Sequence, residues 1–312
     1  MDTVTRHLIS VTDLAGRLEQ LIDKAIEMKR AFRAGDAPKL LDGRALAMIF
    51  EKPSTRTRVS FEVAMHQLGG HGLFLSPKDL QMGRGETVED TARVLSRFVD
   101  AIMYRAFDHG MMEQLAGAAT VPVINALDDV EHPCQIVADL MTIKEHLGHL
   151  QGITVAYVGD GNNVAASLAL GCALVGANLR IATPAGYDVP KAILDIAGTF
   201  ASANDCLVET GRDPTWAAGG ADVVYTDVWT SMGDEAEEAD REAIFAPYQV
   251  NAELMHKAAP GARFMHCLPA HRGHEVTDEV VDADYSIVLD EAENRLHAQK
   301  QILIDLILGP DR

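Results

Sequence analysis

Short apolar runs alternate with amphipathic segments along the whole chain. Residues 45–50 (ALAMIF) form an uninterrupted apolar run, and residues 58–68 then repeat apolar side chains at helical spacing before a Gly-Gly pair. Uninterrupted runs of this kind are typical of strands that are buried on both faces of a sheet. Predicted strands cover residues 45–50, 72–75, 101–104, 121–125, 153–158, 179–182, 221–226, 263–266 and 286–290. Predicted helices cover residues 14–34, 58–68, 87–98, 134–147, 164–175, 190–202 and 292–308.

This alternation predicts an α/β protein with two doubly wound domains, each built on a parallel sheet. The chain has 312 residues, and at roughly 150 residues per domain two domains are expected. We place the first domain at residues 1–148 and the second at 149–291, with the C-terminal helix, 292–308, packing back on the first domain. Ligands of such sheets bind at the carboxyl ends of strands, so the residues that follow the predicted strands are the candidates for a site.

The charge balance restricts the partners of this protein. With 27 basic and 46 acidic residues the formal net charge is −19, so we expect neither nucleic acid nor an anionic membrane as a partner. The N-terminal segment lacks the apolar stretch of a secretion signal, and no run of about eighteen apolar residues predicts a membrane span. The cysteines fit no CxxC pattern and favour reduced thiols in the cytoplasm: Cys134, Cys172, Cys206 and Cys267.

A polar turn follows the first apolar strand and opens a helix. Ser54 is a natural N-cap, and the first turn of a helix offers N–H groups and a positive dipole end to an anion. The hydroxyls of Thr55 and Thr57 add donors, and Arg56 can form a forked pair with a phosphate. Arg58 serves either the ligand or an acidic neighbour. A plain capped helix with surface arginines is the alternative, but it needs fewer polar donors than stand here.

Two further groups follow predicted strands. His132 precedes Pro133, which is suited to the first position of a helix, so His132 faces the strand ends, where it can donate to a carbonyl oxygen. Gln135, in the same segment, can bind an amide. Arg105 follows the strand at 101–104 and is a candidate oxyanion donor. Taken alone, His132 is more simply read as a helix-capping side chain.

The STRTR segment resembles the carbamoyl-phosphate site of aspartate and ornithine carbamoyltransferases, and five other motifs appear in that family's order. The HPCQ segment is similar to the family's HPxQ motif, although Cys134 stands where Thr is more common. By this resemblance Ser54, Thr55, Arg56, Thr57, Arg105, His132 and Gln135 bind carbamoyl phosphate. Gln81 resembles a loop residue that reaches a neighbouring subunit's site, and Arg295 one that returns from the last helix to carbamoyl phosphate. A solvated loop glutamine is the alternative at Gln81.

The segment GDGNN at residues 159–163 has two possible interpretations. It begins like a dinucleotide-binding GxGxxG motif, but Val164 occupies the place of the third glycine and no acid ends the next strand, where Thr183 stands. The segment also resembles the family's GDGNN motif, in which the second Asn, here Asn163, binds the amino-acid substrate. A nucleotide-dependent dehydrogenase is thus the main alternative from outside the family.

The segment DVWTSMG at residues 227–233 resembles the DxxxSMG loop of the ornithine-specific members. That resemblance implies that Asp227 meets the ornithine amino groups and that Ser231 and Met232 close over the substrate. An acid here suits a cationic substrate, whereas aspartate would require cationic groups. Putrescine and N-acetylornithine remain alternative acceptors, and a polar turn with an exposed Met is the structural alternative.

The segment HCLP at residues 266–269 resembles another motif of the family. By that resemblance Cys267 and Leu268 line the site near the reacting amine and the carbamoyl group. A metal site formed by His266, Cys267, His271 and His274 is an alternative, but no second ligand cluster has matching spacing.

The resemblance implies transfer of a carbamoyl group from carbamoyl phosphate to the δ-amine of L-ornithine, which gives L-citrulline and phosphate. Arg105, His132, Asp227 and Cys267 are the expected catalytic residues. No metal or organic cofactor is expected, and the family's trimers, with active sites shared between subunits, imply a homotrimer or an assembly of trimers. A catalytically inactive homologue is the remaining alternative, although the expected chemical groups are all present.

Overall fold

The structure is a computed structural model that describes residues 6–36, 38–78, 80–82, 85–230 and 238–310. The chain divides into two compact units. Unit 1 comprises Met1–Met141 and Asn294–Arg312, and unit 2 comprises Thr142–Glu293. The first change between units lies between Met141 and Thr142, inside the helix Pro133–Leu147, whereas the predicted domain boundary is at residue 148.

Unit 1 contains a four-stranded parallel sheet with the order β2-β1-β3-β4. Its strands are β1 (Ala45–Phe50), β2 (His71–Leu75), β3 (Ala101–Arg105) and β4 (Val123–Leu127). Its helices are α1 (Leu18–Ala34), α2 (Thr55–Gln67), α3 (Val88–Leu95) and α4 (His109–Ala118), followed by α5 (Pro133–Leu147). One core cluster of this unit includes Ile49, Ile102 and Leu115, which are fully buried, and burying each such side chain contributes about 1.5–3 kcal/mol.

Unit 2 contains a five-stranded parallel sheet with the order β7-β6-β5-β8-β9. Its strands are β5 (Thr154–Val158), β6 (Asn178–Ala182), β7 (Val208–Gly211), β8 (Val223–Thr226) and β9 (Arg263–His266). Its helices are α6 (Asn163–Val175), α7 (Lys191–Ala203), α8 (Pro214–Ala218), α9 (Glu238–Phe245), α10 (Ala252–Met255) and α11 (Asp278–Val281), and α12 (Val288–Leu308) closes the chain. Val158, Val224 and Phe264 are buried in a core cluster of this unit.

The two parallel α/β units confirm the predicted fold class, but one predicted strand is wrong. Residues 286–290 do not form a strand: Ser286 makes a single bridge with Phe264, and α12 begins at Val288. Asp290 and Glu291 lie in the first turn of that helix, where acidic side chains meet the positive end of the helix dipole. Ile287 and Val288 are buried, as expected for an apolar run, but they lie at the start of a helix and not in a strand.

The strand order places the candidate residues. In unit 1 the chain leaves β1 toward β2 on one side and returns to β3 on the other, so β1 and β3 flank the point where the winding reverses. In unit 2 the corresponding neighbours are β5 and β8. Ligands of doubly wound sheets bind beyond the carboxyl ends of such strands. Ser54 and Arg105 follow or end β1 and β3, and Asp227 follows β8, so the sequence places polar groups at both reversal points.

Among the described residues, no helix is both long enough and apolar enough to cross a membrane.

Candidate active site

The turn after β1 is a capped helix start. Ser54 has an extended backbone and caps α2, because its Oγ accepts a hydrogen bond from the Thr57 N–H at 3.3 Å. The same Oγ donates to the Thr57 hydroxyl at 3.0 Å. The helix begins at Thr55, three residues before the predicted start, so Thr55, Arg56 and Thr57 form its first turn. An anion at this end would meet the positive pole of the helix dipole.

The two arginines of this turn have different surroundings. Arg58 donates from Nε to Glu62 at 3.0 Å, and its guanidinium lies 3.8 Å from the centre of the Phe74 ring. Arg58 therefore serves an acidic neighbour, one of the two roles considered for it. Arg56 is half-buried at the second position of the helix.

Arg295 joins the helix start to α5. Its guanidinium donates to the Thr57 hydroxyl at 3.1 Å and to the Gln135 side-chain oxygen at 2.5 Å. Gln135 in turn donates to Asp139 at 2.7 Å, which fixes the orientation of its amide. All four side chains are buried. Residues far apart in sequence, on α2, α5 and α12, are thus brought into one hydrogen-bonded group in unit 1.

His132 and Arg105 are the other two buried site residues of unit 1. His132 lies just before α5, and Arg105 is the last residue of β3; their exposed fractions are 5% and 4%. Burial, and then the charges of Arg295 and Arg105, hold the pKa of His132 well below its usual value. His132 is therefore a neutral imidazole near pH 7, which can donate a hydrogen bond without adding a further charge.

In unit 2, Asp227 is held by two side chains directly after β8. Its Oδ1 accepts from the Cys267 thiol at 3.0 Å, and its Oδ2 accepts from Asn162 Nδ2 at 2.8 Å. Asn162 is itself fixed, because its side-chain oxygen caps α6 through the N–H groups of Val164 and Ala165. The carboxylate is buried, with 6% of the residue exposed.

His266 fixes the backbone that carries Cys267. Its Nδ1 accepts from the Leu268 N–H at 2.9 Å, so Nε2 bears the proton of the neutral ring and donates to Glu275 Oε1 at 3.0 Å. The His266 backbone N–H donates to Glu291 at 3.0 Å. Leu268 adopts a left-handed backbone with φ 58°, a conformation that non-glycine residues adopt only when their surroundings hold it.

A second aspartate of unit 2, Asp160, follows the end of β5. Asp160, after β5, pairs with Arg241 at 2.5 Å, and Arg241 also donates to the Trp229 carbonyl at 2.7 Å. Burial raises the pKa of Tyr157 well above its usual value, and the negative charges of Asp227 and Asp160 add to the effect. The charge of Asp160 after β5 is thus paired with Arg241, whereas Asp227 after β8 is a buried carboxylate hydrogen-bonded to the side chains of Asn162 and Cys267.

A metal ion would compete with these hydrogen bonds. Within the described ranges, ligand atoms of Asp227, His266 and Cys267 lie within 4.8 Å of one another. Both ring nitrogens of His266 are already hydrogen-bonded, to the Leu268 N–H and to Glu275. His271 and His274, the other members of the predicted metal alternative, are not part of this group.

Two domain families known from other proteins match successive parts of the chain. Residues 6–145 match the carbamoyl-P binding domain, and residues 151–306 the Asp/Orn binding domain, of aspartate/ornithine carbamoyltransferases. The chain belongs to the aspartate/ornithine carbamoyltransferase family. This membership excludes the dehydrogenase alternative, because the GDGNN segment lies inside the matched Asp/Orn binding domain.

Individual relatives are similar over almost their whole length. The ornithine carbamoyltransferase of Carboxydothermus hydrogenoformans is 55% identical, over 97% of this chain and 98% of its own. A catabolic ornithine carbamoyltransferase of Thermoplasma volcanium is 50% identical, over 97% and 98%. The structure of the Pyrococcus furiosus ornithine carbamoyltransferase superposes with a TM-score of 0.95 at 51% identity, covering 99% of both chains.

The remaining predicted site residues are half-buried or exposed, or they lie outside the described residues. Asn163 is half-buried at the first position of α6, and Gln81 is exposed. Thr55 is exposed at the first position of α2. Ser231 and Met232 lie outside the described residues.

Sequence reasoning missed the residues that hold the site. Asn162 contacts Asp227, and Glu275 holds His266. The N-cap position of Asn162 before α6 was a usable signal for the first. Glu275 has no comparable signal, because it stands in an irregular segment, nine residues after its partner.

Proposed function

We propose that this protein transfers the carbamoyl group of carbamoyl phosphate to the δ-amine of L-ornithine, giving L-citrulline and phosphate. The observation that carries the choice of acceptor is the Asp227 carboxylate, which is held at the end of β8 by Asn162 and Cys267. A buried carboxylate favours a cationic partner in this position. The names of the relatives, ornithine carbamoyltransferases from several organisms, agree with this choice.

Carbamoyl phosphate binds to unit 1 in this proposal. Its phosphate lies at the start of α2, where Ser54, Thr55 and Thr57 supply hydroxyls and Arg56 supplies a charge-assisted pair. Arg295 holds the Thr57 hydroxyl and the Gln135 amide together. Gln135 then recognises the carbamoyl amide, and Gln81 adds a contact from a neighbouring subunit. Cys267 and Leu268 complete the set of residues assigned to this substrate.

The carbonyl oxygen of the carbamoyl group acquires negative charge when the amine attacks. Thr57, Arg105 and His132 are the donors assigned to that oxygen. A low pKa keeps His132 neutral, so it donates a hydrogen bond without a proton to lose first. Removing one such donor typically lowers the rate by about 10²–10³.

The δ-amine of ornithine must lose a proton before it attacks. Asp227 and Cys267 are hydrogen-bonded to each other, and they are the candidates for holding or relaying that proton. The free amine forms the new C–N bond, the bond from the carbamoyl carbon to the phosphate oxygen breaks, and the departing phosphate takes up the second proton that the amine nitrogen loses. Phosphate leaves toward the start of α2. Asn163, Asp227, Ser231 and Met232 are assigned to ornithine.

The proposal extends to the state of the protein in the cell. The chain acts in the cytoplasm, as expected for four cysteines that are all free thiols. It assembles as a homotrimer or as a group of trimers, and Gln81 is exposed, as a residue that reaches a neighbouring subunit must be. The chemistry uses side chains alone, without a metal or an organic cofactor.

The direct test supplies carbamoyl phosphate with ornithine, putrescine, N-acetylornithine or aspartate and measures the carbamoylated product of each. We expect citrulline to form with the highest kcat/KM. A higher kcat/KM with any other acceptor, or no product with ornithine, would contradict the proposal.

A further inference from the structure

The turn that leads into His132 is organised by one buried carboxylate. Asp128 is completely buried. Its Oδ1 accepts from the backbone N–H groups of Val130 at 2.9 Å and Glu131 at 2.7 Å. The Asp128 N–H donates back to the Glu131 carbonyl at 3.0 Å. These bonds close the loop between β4 and α5 immediately before His132, so the carboxylate sets the direction in which the chain enters α5.

The second oxygen of the same carboxylate is held from outside the turn. Its Oδ2 accepts from Asn125 Nδ2 at 2.8 Å and contacts His109 Nδ1 at 2.6 Å. Asn125 is itself fixed, because its side-chain oxygen accepts from the Leu127 N–H and its Nδ2 also donates to the Ile9 carbonyl. His109 is the first residue of α4, and its backbone N–H donates to Asp129 at 2.8 Å. α4 is thereby fastened to both aspartates of the turn.

We propose that His109 and Asp128 are positioning residues for His132: Asp128 holds the turn that ends in His132, and His109 holds the Asp128 carboxylate. The proposal rests on the proposed function for the role of His132 itself. It assigns no contact with substrate to either residue. A buried carboxylate that organises a catalytic loop requires a partner for its charge, and His109 supplies one on the side away from the turn.

The surroundings of His109 agree with this role. The hydrogen bond to Asp128 raises the pKa of His109 above its usual value, burial opposes the rise, and the charges of Asp128, Glu113 and Glu131 add to it. His109 keeps a quarter of its side chain exposed, whereas Asp128 has none. It lines a cavity of about 590 Å³ together with Arg6, His7, Asp13, Arg17 and Glu113. His109 is therefore accessible to solvent, whereas the Asp128 carboxylate behind it is not.

The test is a double-mutant cycle on kcat/KM for carbamoyl phosphate, with His109→Ala, His132→Gln and the double variant. If His109 acts through His132, its loss lowers kcat/KM about tenfold in the wild-type background, less than the direct loss of an oxyanion donor. In the His132→Gln background the same loss has less than about a twofold effect, because coupled residues are not additive. His109→Gln, which keeps a donor toward Asp128, restores most of the activity. Additive effects in the cycle would overturn the proposal.

A matched control is His146→Ala. His146 has 26% of its side chain exposed, close to the 25% of His109, and it pairs at 2.8 Å with Asp290, an aspartate that is 51% exposed where Asp128 is fully buried. We expect its kcat/KM to stay within about twofold of wild type, as for a surface pair that contributes little. An equal loss from His146→Ala would show a general effect of removing histidine–aspartate pairs and would contradict the specific role.

Amide hydrogen exchange tests the pair independently of activity. In His109→Ala and Asp128→Asn, exchange at the N–H groups of Val130 and Glu131 becomes faster, and exchange in β5 does not change. Unchanged exchange at both amides would overturn the proposal. If the wild-type protein fails to carbamoylate ornithine, the proposed function fails, and the same cycle is measured on the dissociation constant for carbamoyl phosphate.

Discussion

The two reversal points of the sheets differ in their charged side chains. At the ends of β1 and β3, the helix start of α2 is accompanied by Arg105 and Arg295 with a neutral His132. At the ends of β5 and β8, the Asp227 carboxylate accepts from Cys267, and the Asp160 carboxylate is paired with Arg241. In our proposal, the same winding of the chain provides an anion site in one unit and, through Asp227, a cation site in the other. The topology selects the place of a site, and the side chains select its ligand.

The two site histidines, His132 before α5 and His266 at the end of β9, have different surroundings. In unit 1, burial and neighbouring cations depress the pKa of His132. In unit 2, the Leu268 N–H occupies one nitrogen of His266 and Glu275 accepts from the other, which fixes a single neutral tautomer. His132 is therefore suited to donate to a substrate oxygen, whereas His266 is engaged on both sides and serves to hold the backbone of Cys267 and Leu268.

Cys134 in unit 1 and Cys267 in unit 2 also differ in their surroundings. Burial raises the pKa of Cys134 to about 12, against the opposing charge of Arg295, and its thiol donates to the Asn125 carbonyl at 3.4 Å. Cys134 is thus an inert donor in the core. Cys267 instead is half-buried and donates to Asp227. The Cys at the position where the family more often has Thr keeps a hydrogen-bond donor in place, so we expect this departure to have little effect.

Replacing Arg56 tests the anion site most strongly. We expect Arg56→Ala to weaken carbamoyl-phosphate binding about 100-fold, the loss of a charge-assisted bidentate pair, with an unchanged melting temperature. Arg58→Ala is the matched control, because Arg58 serves Glu62 and Phe74; its binding should remain near wild type. Calorimetric titration measures both. Normal binding by Arg56→Ala would remove Arg56 from the site.

Replacing Glu275 tests whether unit 2 depends on its buried carboxylate. Glu275→Gln keeps the shape but loses the charge that faces His266 and the His271 N–H. We expect the free energy of unfolding to fall by about 1–3 kcal/mol, as for a weakened buried charge-assisted bond. The exposed Glu279, on α11, is the control and should change little when it becomes Gln. Equal stability of wild type and Glu275→Gln in urea denaturation would argue against a holding role.

The smallest effect concerns the titration of individual histidines. Because the folded-state pKa of His132 lies below its unfolded value, the unfolded state binds the proton first as pH falls, and stability is lost from about pH 6.5 downward. His132→Gln should remove this slope. His109 has a raised pKa, so its contribution is present below about 6.5 and is lost as pH rises through its folded value. NMR titration of both rings checks the order; a His132 ring that titrates before His109 as pH falls would contradict it.

Much of the site was predictable because its residues follow strands. The predicted strands at 45–50 and 263–266 have the bounds of β1 and β9, and the turn after β1 is correctly expected to open a capped helix. Strand ends and N-caps can be recognised from neighbouring residues in the sequence. Ser54 is an N-cap residue, and Arg105 and Asp227 stand at the ends of strands. The family's motifs then supply the chemical roles, which periodicity does not contain.

The rest depends on contacts between distant segments. The strand β7 (VETG) has too few apolar residues to be recognised, since it lies at the edge of its sheet and is only partly buried. Ile287 and Val288 resemble the end of a strand but begin a helix, because only tertiary packing distinguishes the two for a short apolar run. Glu275 and Asp128 carry no motif, since each acts by accepting hydrogen bonds that exist only after folding.

The contrast between a cationic and an anionic end is tested most directly by Asp227→Asn. Kinetics with ornithine and calorimetric titration with carbamoyl phosphate are measured on the same preparation. We expect kcat/KM for ornithine to fall about 100-fold or more, because a substrate cation loses its charged partner, while the dissociation constant for carbamoyl phosphate stays within about twofold. Unchanged ornithine kinetics, or an equal loss of carbamoyl-phosphate binding, would contradict the assignment of the two substrates to the two ends.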